Sequence, residues 1–311
     1  MLATLSDRRD FPGGWIFERK LDGVRVLAVR EGGRVQLLSR TGQHLNATYP
    51  EIVEALAAQE CTDFTIDGEV VAFTGGRTDF ARLQRRMGLT RRRDIEASGV
   101  AVTYYVFDLL RLEGTDTTRL PLRTRKSLLR RALTYRSPLR LTPHRNEGGA
   151  ELLAAFCARG WEGLIAKRAD SPYQPRRSTD WLKLKCSRSQ EFVVGGFTEP
   201  AGSRVGLGAL LLGYYEDGRL RYAGKVGTGF DRRTLLTLRE RLDALHTSAP
   251  PFDGPVREAR ARWVRPELIA QIAFTEWTRD GMLRHPSFLG LREDKKPREV
   301  VRERPSGRAA V

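Results

Sequence analysis

The sequence has no long apolar segment and few cysteines. No stretch of its 311 residues approaches the ~18 consecutive apolar residues of a membrane-spanning helix. The start, MLATLSDRRDFPGG, lacks the continuous apolar core of a secretory signal peptide. The three cysteines, Cys61, Cys157 and Cys186, are scattered without a CxxC pair, which argues against structural zinc. These absences exclude membrane and secreted proteins and predict a protein of the reducing cytoplasm.

Acidic residues are scarce relative to basic ones. The chain has 54 Lys and Arg against 38 Asp and Glu, which gives a net charge of +16. Such an excess predicts a polyanionic partner, and nucleic acid is favoured over a merely solvated basic surface. Two clusters contribute: Arg82, Arg85 and Arg86 on one predicted helix, and Arg91–Arg93 in the loop after it. Each can contact DNA phosphates or face solvent.

The pattern of predicted elements changes after Cys186, which indicates two domains. Residues 1–187 alternate strand and helix patterns, as expected of an α+β domain with antiparallel sheets and flanking helices. Residues 188–302 contain short strands and one amphipathic helix over 230–246, which predicts a small β-barrel of the OB type. The tail over 303–311 is polar and predicted to be loose.

Local signals predict several turns and element ends. Gly32-Gly33 predicts a hairpin turn, and Asp79 predicts a helix N-cap. Asp67-Gly68 predicts an interruption of the strand over 64–73. The segment 263–278 predicts one long strand in the second domain.

The segment Lys20-Leu21-Asp22-Gly23 has the first candidate chemical role. A Lys at a strand end before an Asp-Gly turn is compatible with a solvated hairpin. The alternative is a lysine nucleophile, which must lose its proton to attack and therefore needs neighbours that lower its pKa. That alternative requires further cations, and carboxylates for a metal ion, elsewhere in the chain.

Both kinds of side chain recur. Lys183 and Lys185 are two residues apart in a predicted strand, so they point to one side of it. Glu162 precedes an apolar strand, and Glu69 lies within a hydrophobic run, where a carboxylate needs a partner or a metal. Phe107 ends a predicted buried strand. Taken singly, each has an ordinary structural explanation: a solvated turn, an edge strand or a core aromatic.

Taken in order, these segments resemble the motif series of the covalent nucleotidyltransferase superfamily, which contains DNA ligases, RNA ligases and mRNA capping enzymes. The matching segments are KLDGVR (20–25), SRTG (39–42), DGE (67–69), YYVFDLL (104–110), EGLIAK (162–167), WLKLK (181–185) and LGLREDKKP (289–297). Four longer stretches resemble the ligase module of bacterial end-joining DNA ligases: EGLIAKRADSPY, WLKLKCSRSQEFVVGGFTEPAGSR, LRYAGKVGTGF and FTEWTRDGMLRHPSFLGLREDK. The resemblance covers nearly the whole chain. It implies an adenylation domain over 1–187 and an OB-fold domain over 188–302.

The resemblance also implies catalytic roles. Lys20 would carry AMP, Asp22 would orient the lysine turn, and Arg25 would lie near the 5′-phosphate of a nick. Lys183 and Lys185 would hold the α-phosphate and help to lower the pKa of Lys20.

Cofactor contacts follow in the same way. The implied nucleotide-binding residues are Glu18 at the adenine N6 amine, Lys20, Arg40 at the ribose, Glu69, Phe107 against adenine, Glu162, Lys167, Lys183 and Lys185, with Arg292 and Lys295 at the pyrophosphate. Glu69 and Glu162 would bind Mg²⁺ or Mn²⁺. A hinge near Ser187–Ser189 would let the OB domain close. The implied cofactors are therefore ATP and a divalent metal.

The implied reaction has three steps, each a displacement at phosphorus. Lys20 attacks the α-phosphate of ATP, AMP passes to the 5′-phosphate of a nick, and the 3′-hydroxyl displaces AMP. Only 19 residues precede Lys20, so we expect no helical DNA-binding domain ahead of it. The expected partners are therefore nicked double-stranded DNA, with a Ku-type end-binding protein and a repair polymerase as helpers of a monomer.

Two rival functions stay open. An RNA ligase or a capping-type nucleotidyltransferase would share the lysine nucleophile, although a carboxylate at Glu18 favours adenine over guanine. A non-catalytic DNA-end-binding module is the other alternative, and the intact Lys20, Glu162 and Lys183 argue against it.

Overall fold

A computed structural model describes residues 1–186 and 189–304. Over these residues the chain forms two compact units, Met1–Cys186 and a second unit that ends at Glu303. The predicted hinge near Ser187–Ser189 and the predicted tail fall mainly outside the described residues. No helix of the described residues combines the length and apolar character needed to cross a membrane. The predicted mixed α+β class is confirmed.

The first unit contains thirteen strands and five helices. Its strands are β1 (Leu2–Leu5), β2 (Trp15–Lys20), β3 (Val24–Glu31), β4 (Arg34–Ser39), β5 (Phe64–Val71), β6 (Phe73–Thr74), β7 (Arg77–Thr78), β8 (Thr103–Leu112), β9 (Thr115–Asp116), β10 (Leu139–Leu141), β11 (His144–Arg145), β12 (Gly163–Arg168) and β13 (Arg177–Lys185). Its helices are α1 (Pro50–Ala57), α2 (Phe80–Gln84), α3 (Arg92–Ala97), α4 (Leu122–Ala132) and α5 (Gly149–Ala158).

Two sheets form the frame of this unit. One has the strand order β1-β13-β12-β2-β11, and the other has the order β10-β8-β5-β3-β4 with β9 on β8. The pairs are antiparallel except β1 with β13 and β10 with β8, which are parallel. The sheets are thus mainly antiparallel, as predicted, and the two parallel pairs occur where long connections rather than hairpins bring the strands together.

Strand β2 separates two environments, because alternate residues of a strand face opposite sides of the sheet. Trp15 and Phe17 are buried with Leu153 and Phe156 of α5 in one hydrophobic cluster. The side chains of Glu18 and Lys20 therefore face away from α5. The larger core of the unit packs α1 and α4 against the second sheet.

Three local predictions can be compared with the structure. Gly32 and Gly33 have positive φ angles of 53° and 82° between β3 and β4, which confirms the hairpin. Asp79 accepts a hydrogen bond from the backbone N–H of Arg82 at 2.9 Å, which confirms the N-cap. The predicted interruption at Asp67-Gly68 is wrong, because β5 is continuous and only its register against β8 shifts there.

The described part of the second unit, from residue 189 onward, contains nine strands, one α-helix and a 3-10 turn. Its strands are β14 (Ser189–Thr198), β15 (Leu210–Glu216), β16 (Arg219–Val226), β17 (His246–Thr247), β18 (Ala261–Val264), β19 (Ile269–Ala273), β20 (Glu276–Trp277), β21 (Leu283–Arg284) and β22 (Ser287–Arg292). Its helix is α6 (Arg232–Asp243), and the 3-10 turn is Pro297–Glu299.

Seven of these strands form one sheet around a single hydrophobic core. The combination of short strands with one helix agrees with the predicted OB-type unit, although strand pairing within 189–304 forms an open sheet rather than a closed barrel. The single strand predicted over 263–278 is wrong. Pro266 has no N–H to donate, and the segment divides into β18, β19 and β20.

Two of the three cysteines are bonded. Cys157 of α5 and Cys186 form a disulfide, with their Cα atoms 5.1 Å apart, while Cys61 is free. The scattered spacing in the sequence gave no sign of this pair, because 29 residues separate the two cysteines.

Candidate active site

Lys20 and Glu162 form the centre of the candidate site. Strands β2 and β12 are in register, with Lys20 opposite Gly163, and the Nζ atom of Lys20 contacts Oε1 of Glu162. The two side chains are 18% and 16% exposed, so the ion pair is largely withdrawn from water but still reachable. The structure therefore brings together the predicted nucleophile and a predicted metal ligand.

The pKa of Lys20 does not shift as the sequence predicted. Burial lowers this pKa, but the carboxylates of Glu162, Asp22 and Glu69 outweigh burial and raise it above the usual value for lysine. The expected lowering by Lys183 and Lys185 is therefore wrong for this arrangement of the site. The acids that the sequence suggested for a metal ion act here as partners of the ammonium group.

Glycine at position 163 makes this arrangement possible. Gly163 lies opposite both Lys20 of β2 and Lys185 of β13. Its φ angle is 150°, and an added Cβ would lie 2.0 Å from the carbonyl oxygen of Leu184. Only glycine, which has no side chain, allows β12 to approach β13 so closely at this position.

Lys183 and Lys185 lie on β13, beside the strand that carries Glu162. Lys183 is in register with Ile165, and Ile165 is in register with Glu18. Residues in register across a sheet share a face, so Lys183 lies on the face of the sheet that carries Glu18. This is the predicted side for the α-phosphate.

A buried cluster of three charged groups surrounds Glu18. Lys126 Nζ donates to Glu18 Oε1 at 2.5 Å, and Lys167 Nζ lies 2.7 Å from Oε2. All three side chains are less than 5% exposed. Burial raises the pKa of Glu18, but the ammonium groups of Lys126 and Lys167 lower it by more than burial raises it. The pKa is therefore below the usual value for glutamate, and the carboxylate stays ionised. Burial and Lys126 lower the pKa of Lys167, although Glu18 opposes them.

Lys126 is a candidate functional residue that the sequence did not reveal. Besides Glu18, its Nζ atom donates to the carbonyl oxygen of Phe107 at 3.4 Å. Lys126 thus links the two residues predicted to contact adenine. In the sequence it is one basic residue of a basic helix, and nothing there distinguishes it from its exposed neighbours Arg130 and Arg131.

Phe107 lies under a cation. Lys167 Nζ is 4.4 Å from the centre of its ring, and Trp181 meets the ring edge-on at 5.9 Å. Lys167 is also 3.9 Å from the ring of Trp181. Cation–π contacts of this kind hold the ammonium between the two rings.

Arg25 is bound to a carboxylate rather than exposed at a phosphate site. Its Nε and Nη2 atoms donate to Asp67 at 2.9 Å and 2.5 Å, and Nη2 also donates to the hydroxyl of Tyr173 at 3.0 Å. Arg25 lowers the pKa of Asp67 despite complete burial of that carboxyl group. A contact between Arg25 and a nick would require this bidentate pair to open.

The other predicted residues are Arg40 and Glu69 in the first unit and Arg292 and Lys295 in the second, and of these Glu69 lies near enough to Lys20 to raise its pKa. Arg40 directly follows β4, and Glu69 lies on β5 in register with Arg25 and Tyr105. In the second unit, Arg292 forms a bidentate pair with Asp294 at 2.9 Å, and Lys295 binds Glu191 at 2.9 Å. Both residues predicted to contact the pyrophosphate are therefore paired with carboxylates of their own unit.

Of the basic cluster Arg82, Arg85 and Arg86, only Arg82 lies within α2, and the cluster is only partly exposed. Arg86 is fully buried and pairs with both carboxylate oxygens of Glu51, at 3.0 Å and 2.9 Å. Arg86 is therefore exposed neither to solvent nor to DNA phosphates, the two alternatives that the sequence left open for it. Arg92 and Arg93 are 75% and 78% exposed, which leaves them accessible to a polyanion.

The donor set fits a substrate-assisted metal site rather than a closed protein cage. No group of three or more metal-binding side chains occurs in the described residues. Glu162 Oε2, however, is buried without a hydrogen-bond partner, which is an unsatisfied acceptor beside the nucleophile. Mg²⁺ takes one or two carboxylates and completes its shell with water and substrate phosphates, so Glu162 and Glu69 suffice.

Comparisons with known proteins agree along the chain. Residues 1–185 match the family described as ATP dependent DNA ligase domain, and residues 203–295 match the ATP dependent DNA ligase C terminal region. The chain is 43% identical over 304 residues to the multifunctional non-homologous end joining protein LigD of Pseudomonas aeruginosa, covering 95% of this chain and 35% of that protein. It is 41% identical to the LigD protein of Mycobacterium tuberculosis, covering 93% of this chain and 37% of that protein.

The chain thus spans about a third of the length of these curated relatives. Among solved structures, a mycobacterial DNA ligase D complexed with ATP and MES matches with a TM-score of 0.66 and 37% identity. That match covers 97% of this chain and 98% of the other.

Proposed function

Because the chain belongs to the ATP-dependent DNA ligase family, we propose that it seals nicks in duplex DNA by way of an AMP group carried on Lys20. The observation that carries the proposal is the contact of Lys20 with Glu162, beside the strand that bears Lys183 and Lys185. A lysine, an acid and two further lysines beside one another form a site for attack on a phosphate.

The first step is the transfer of AMP from ATP to Lys20. The ammonium of Lys20 must lose its proton to solvent before it attacks, and the contact with Glu162 would hold its Nζ atom in position. The neutral amine then attacks the α-phosphorus, and the bond to pyrophosphate breaks. Lys183 and Lys185 would neutralise the charge that develops on the phosphate oxygens.

The adenine pocket would be formed around Glu18 and Phe107. Each oxygen of Glu18 accepts from one lysine and keeps a second lone pair, which can accept from the N6 amine of adenine. Guanine has a carbonyl at that position and would be repelled by the carboxylate. Bound divalent metal, held by Glu162 and Glu69, would neutralise the phosphates of the nucleotide.

Two further steps would complete the reaction. AMP passes from Lys20 to the 5′-phosphate of the nick, and the 3′-hydroxyl then displaces AMP and closes the phosphodiester bond. Similarity to multifunctional end-joining proteins supports a role in double-strand break repair. The partners that we propose for this role are a Ku-type end-binding protein and a polymerase. The exposed Arg92 and Arg93 would add salt-sensitive contacts to the DNA backbone.

The proposal is tested by detection of the covalent lysyl-AMP intermediate. The protein is incubated with ATP and Mg²⁺ or Mn²⁺ and analysed by mass spectrometry, with GTP in a parallel sample. We expect the mass of one AMP on Lys20, no such mass in Lys20→Ala, and an unchanged mass gain in the control Lys225→Ala, which alters an exposed lysine of the second unit. Preference for GTP, or nick sealing by Lys20→Ala at the parental rate, would contradict the proposal.

A separate test addresses the partners. Joining of linear duplexes is measured with and without a Ku-type protein, beside sealing of a single nick. We expect Ku to increase joining of ends more than sealing of nicks. Efficient end joining at nanomolar concentration without any partner would contradict the proposed dependence.

A further inference from the structure

A cavity of about 570 Å³ lies on the side of β2 that faces away from Lys20. Phe17 and Arg19 line it, and both alternate along the strand with Glu18 and Lys20. Its other walls come from the segment 142–148, from α5 and from Trp161. None of the residues assigned above to ATP lines this cavity.

Two polar side chains in its wall have donors without acceptors. Arg19 Nε and Nη2 are buried with no hydrogen-bond partner, and so is the hydroxyl of Thr142. Thr142 is only 3% exposed, so water does not replace the missing partner at its surface. Buried donors without acceptors are costly, and an acceptor placed in the cavity would satisfy both after small side-chain rotations.

The cavity also contains two arginines, Arg19 and Arg159, that form no ion pair with its acidic residues. Arg19 and Arg159 approach the ring of Trp161, at 3.7 Å and 5.4 Å from its centre. Within residues 1–186 and 189–304, neither arginine forms an ion pair. Glu147 and Glu151 line the same cavity but pair with neither of them. Two guanidinium groups that converge without a carboxylate between them form a site for an anion.

The walls further include flat aromatic surfaces. Tyr105, Phe156 and Trp161 line the cavity, with Phe156 and Trp161 at 4.7 Å between ring centres. Aromatic side chains offer stacking surfaces to any nucleobase, and arginine with threonine offers donors to a phosphate. A cavity of this volume accommodates one nucleotide.

We propose that this cavity is a second nucleotide site, which binds a phosphate through Arg19, Thr142 and Arg159 and a base against Tyr105. The ligand is either a free nucleoside monophosphate or one phosphorylated unit of a DNA strand, which share this chemistry. Binding there does not require transfer of AMP to Lys20, so the inference stands independently of the proposed reaction.

The experiment uses the full chain after loading with ATP and metal and removal of free nucleotide, with the extent of AMP attachment measured by mass. Isothermal titration calorimetry then compares the binding of three ligands. They are dAMP, 5′-phosphorylated tetrathymidylate and the same oligonucleotide without its 5′-phosphate. We expect binding that depends on the phosphate, and the better ligand of the first two identifies the source. Absence of binding by both phosphorylated ligands would overturn the proposal.

Three variants locate the site. Arg19→Gln should weaken binding of the phosphorylated ligand by about tenfold, because charge-assisted hydrogen bonds are lost. Arg34→Gln, which removes an exposed arginine of the same unit outside the cavity, should leave binding unchanged. Thr142→Val keeps the shape of the side chain, removes the hydroxyl and should weaken binding by about threefold.

The variants also protect the test against misfolding. Each is checked for an unchanged thermal unfolding midpoint before titration, and Thr142→Val serves if Arg19→Gln does not fold. Equal binding by the parent, Arg19→Gln and Thr142→Val would overturn the proposal, because the ligand would then lie elsewhere. Failure to attach AMP is seen in the mass measurement and has no bearing on the comparison among variants.

Discussion

Lys126 Nζ donates a hydrogen bond to Glu18 Oε1 across 2.5 Å, from helix α4 to strand β2. The helix thereby fixes a carboxylate that the sequence associates with adenine. Lys126 is a positioning residue, because it acts on the nucleotide through Glu18 and the Phe107 carbonyl rather than by contact with phosphate.

Replacement of Lys126 should therefore weaken nucleotide binding more than it slows chemistry. In Lys126→Met, one oxygen of Glu18 loses its charged partner, and we expect the KM for ATP in Lys20 adenylation to rise about tenfold with a smaller change in kcat. Arg131→Gln, on the exposed face of the same helix, is the matched control. Equal falls in kcat and kcat/KM in Lys126→Met would argue against a positioning role. So would a folded Lys126→Arg protein that restores none of the lost affinity for ATP.

The raised pKa of Lys20 predicts a pH dependence of adenylation. Only the neutral amine attacks, and a raised pKa means that the neutral fraction is small at neutral pH and grows as pH rises. We expect the single-turnover rate to increase about tenfold per pH unit below that pKa.

Glu162→Gln tests the cause of this shift. Removal of the carboxylate removes a group that raises the pKa of Lys20, so the plateau of the pH profile should move to lower pH. The maximal rate should fall, because a contact that positions Lys20 and a proposed metal ligand are lost. An unchanged profile would show that Glu162 does not control the protonation of Lys20. Glu60→Gln, an exposed acid of the same unit outside the site and the cavity, is the control.

Gly163→Ala should damage the site through the backbone. The added methyl group would lie 2.0 Å from the carbonyl oxygen of Leu184, in a strand pair that aligns Lys20 with Lys185. We expect a loss of about 2 kcal/mol or more in the free energy of unfolding by urea, together with loss of adenylation.

Gly13→Ala provides the comparison, because nothing lies within 4 Å of its added Cβ. Its unfolding free energy should stay within about 0.5 kcal/mol of the parent. A Gly163→Ala protein as stable as Gly13→Ala would contradict the close approach of β12 and β13.

The disulfide predicts a redox-dependent stability. Closing a loop with 29 residues of sequence separation should contribute about 3 kcal/mol. Urea unfolding with and without dithiothreitol should differ by this amount in the parent and in Cys61→Ser, but not in Cys157→Ser. A parent insensitive to reductant would mean that the two thiols are not bonded in solution.

The sequence predicted the candidate site better than its electrostatics. The order of the motifs is a property of the chain, so Lys20, Glu162, Lys183 and Lys185 could be selected without coordinates. The pKa of Lys20 depends instead on which groups surround its Nζ atom, and the contact with Glu162 spans 142 positions of the chain.

Burial was the other property that the sequence did not reveal. Arg86 was grouped with Arg82 and Arg85 by spacing, yet it is fully buried against Glu51. Lys126 was an ordinary member of a basic helix, yet it is 4% exposed against Glu18. The sequence does not show which face of a helix packs against the rest of the protein. The same charged residue type can therefore lie on a solvated face or in a buried ion pair.

The bond between Cys157 and Cys186 has a mechanical consequence. Strand β13 carries Lys183 and Lys185, and the chain continues from Cys186 into the second unit. The covalent link joins the end of this strand to helix α5, so fraying of the strand from that end would have to displace the helix as well.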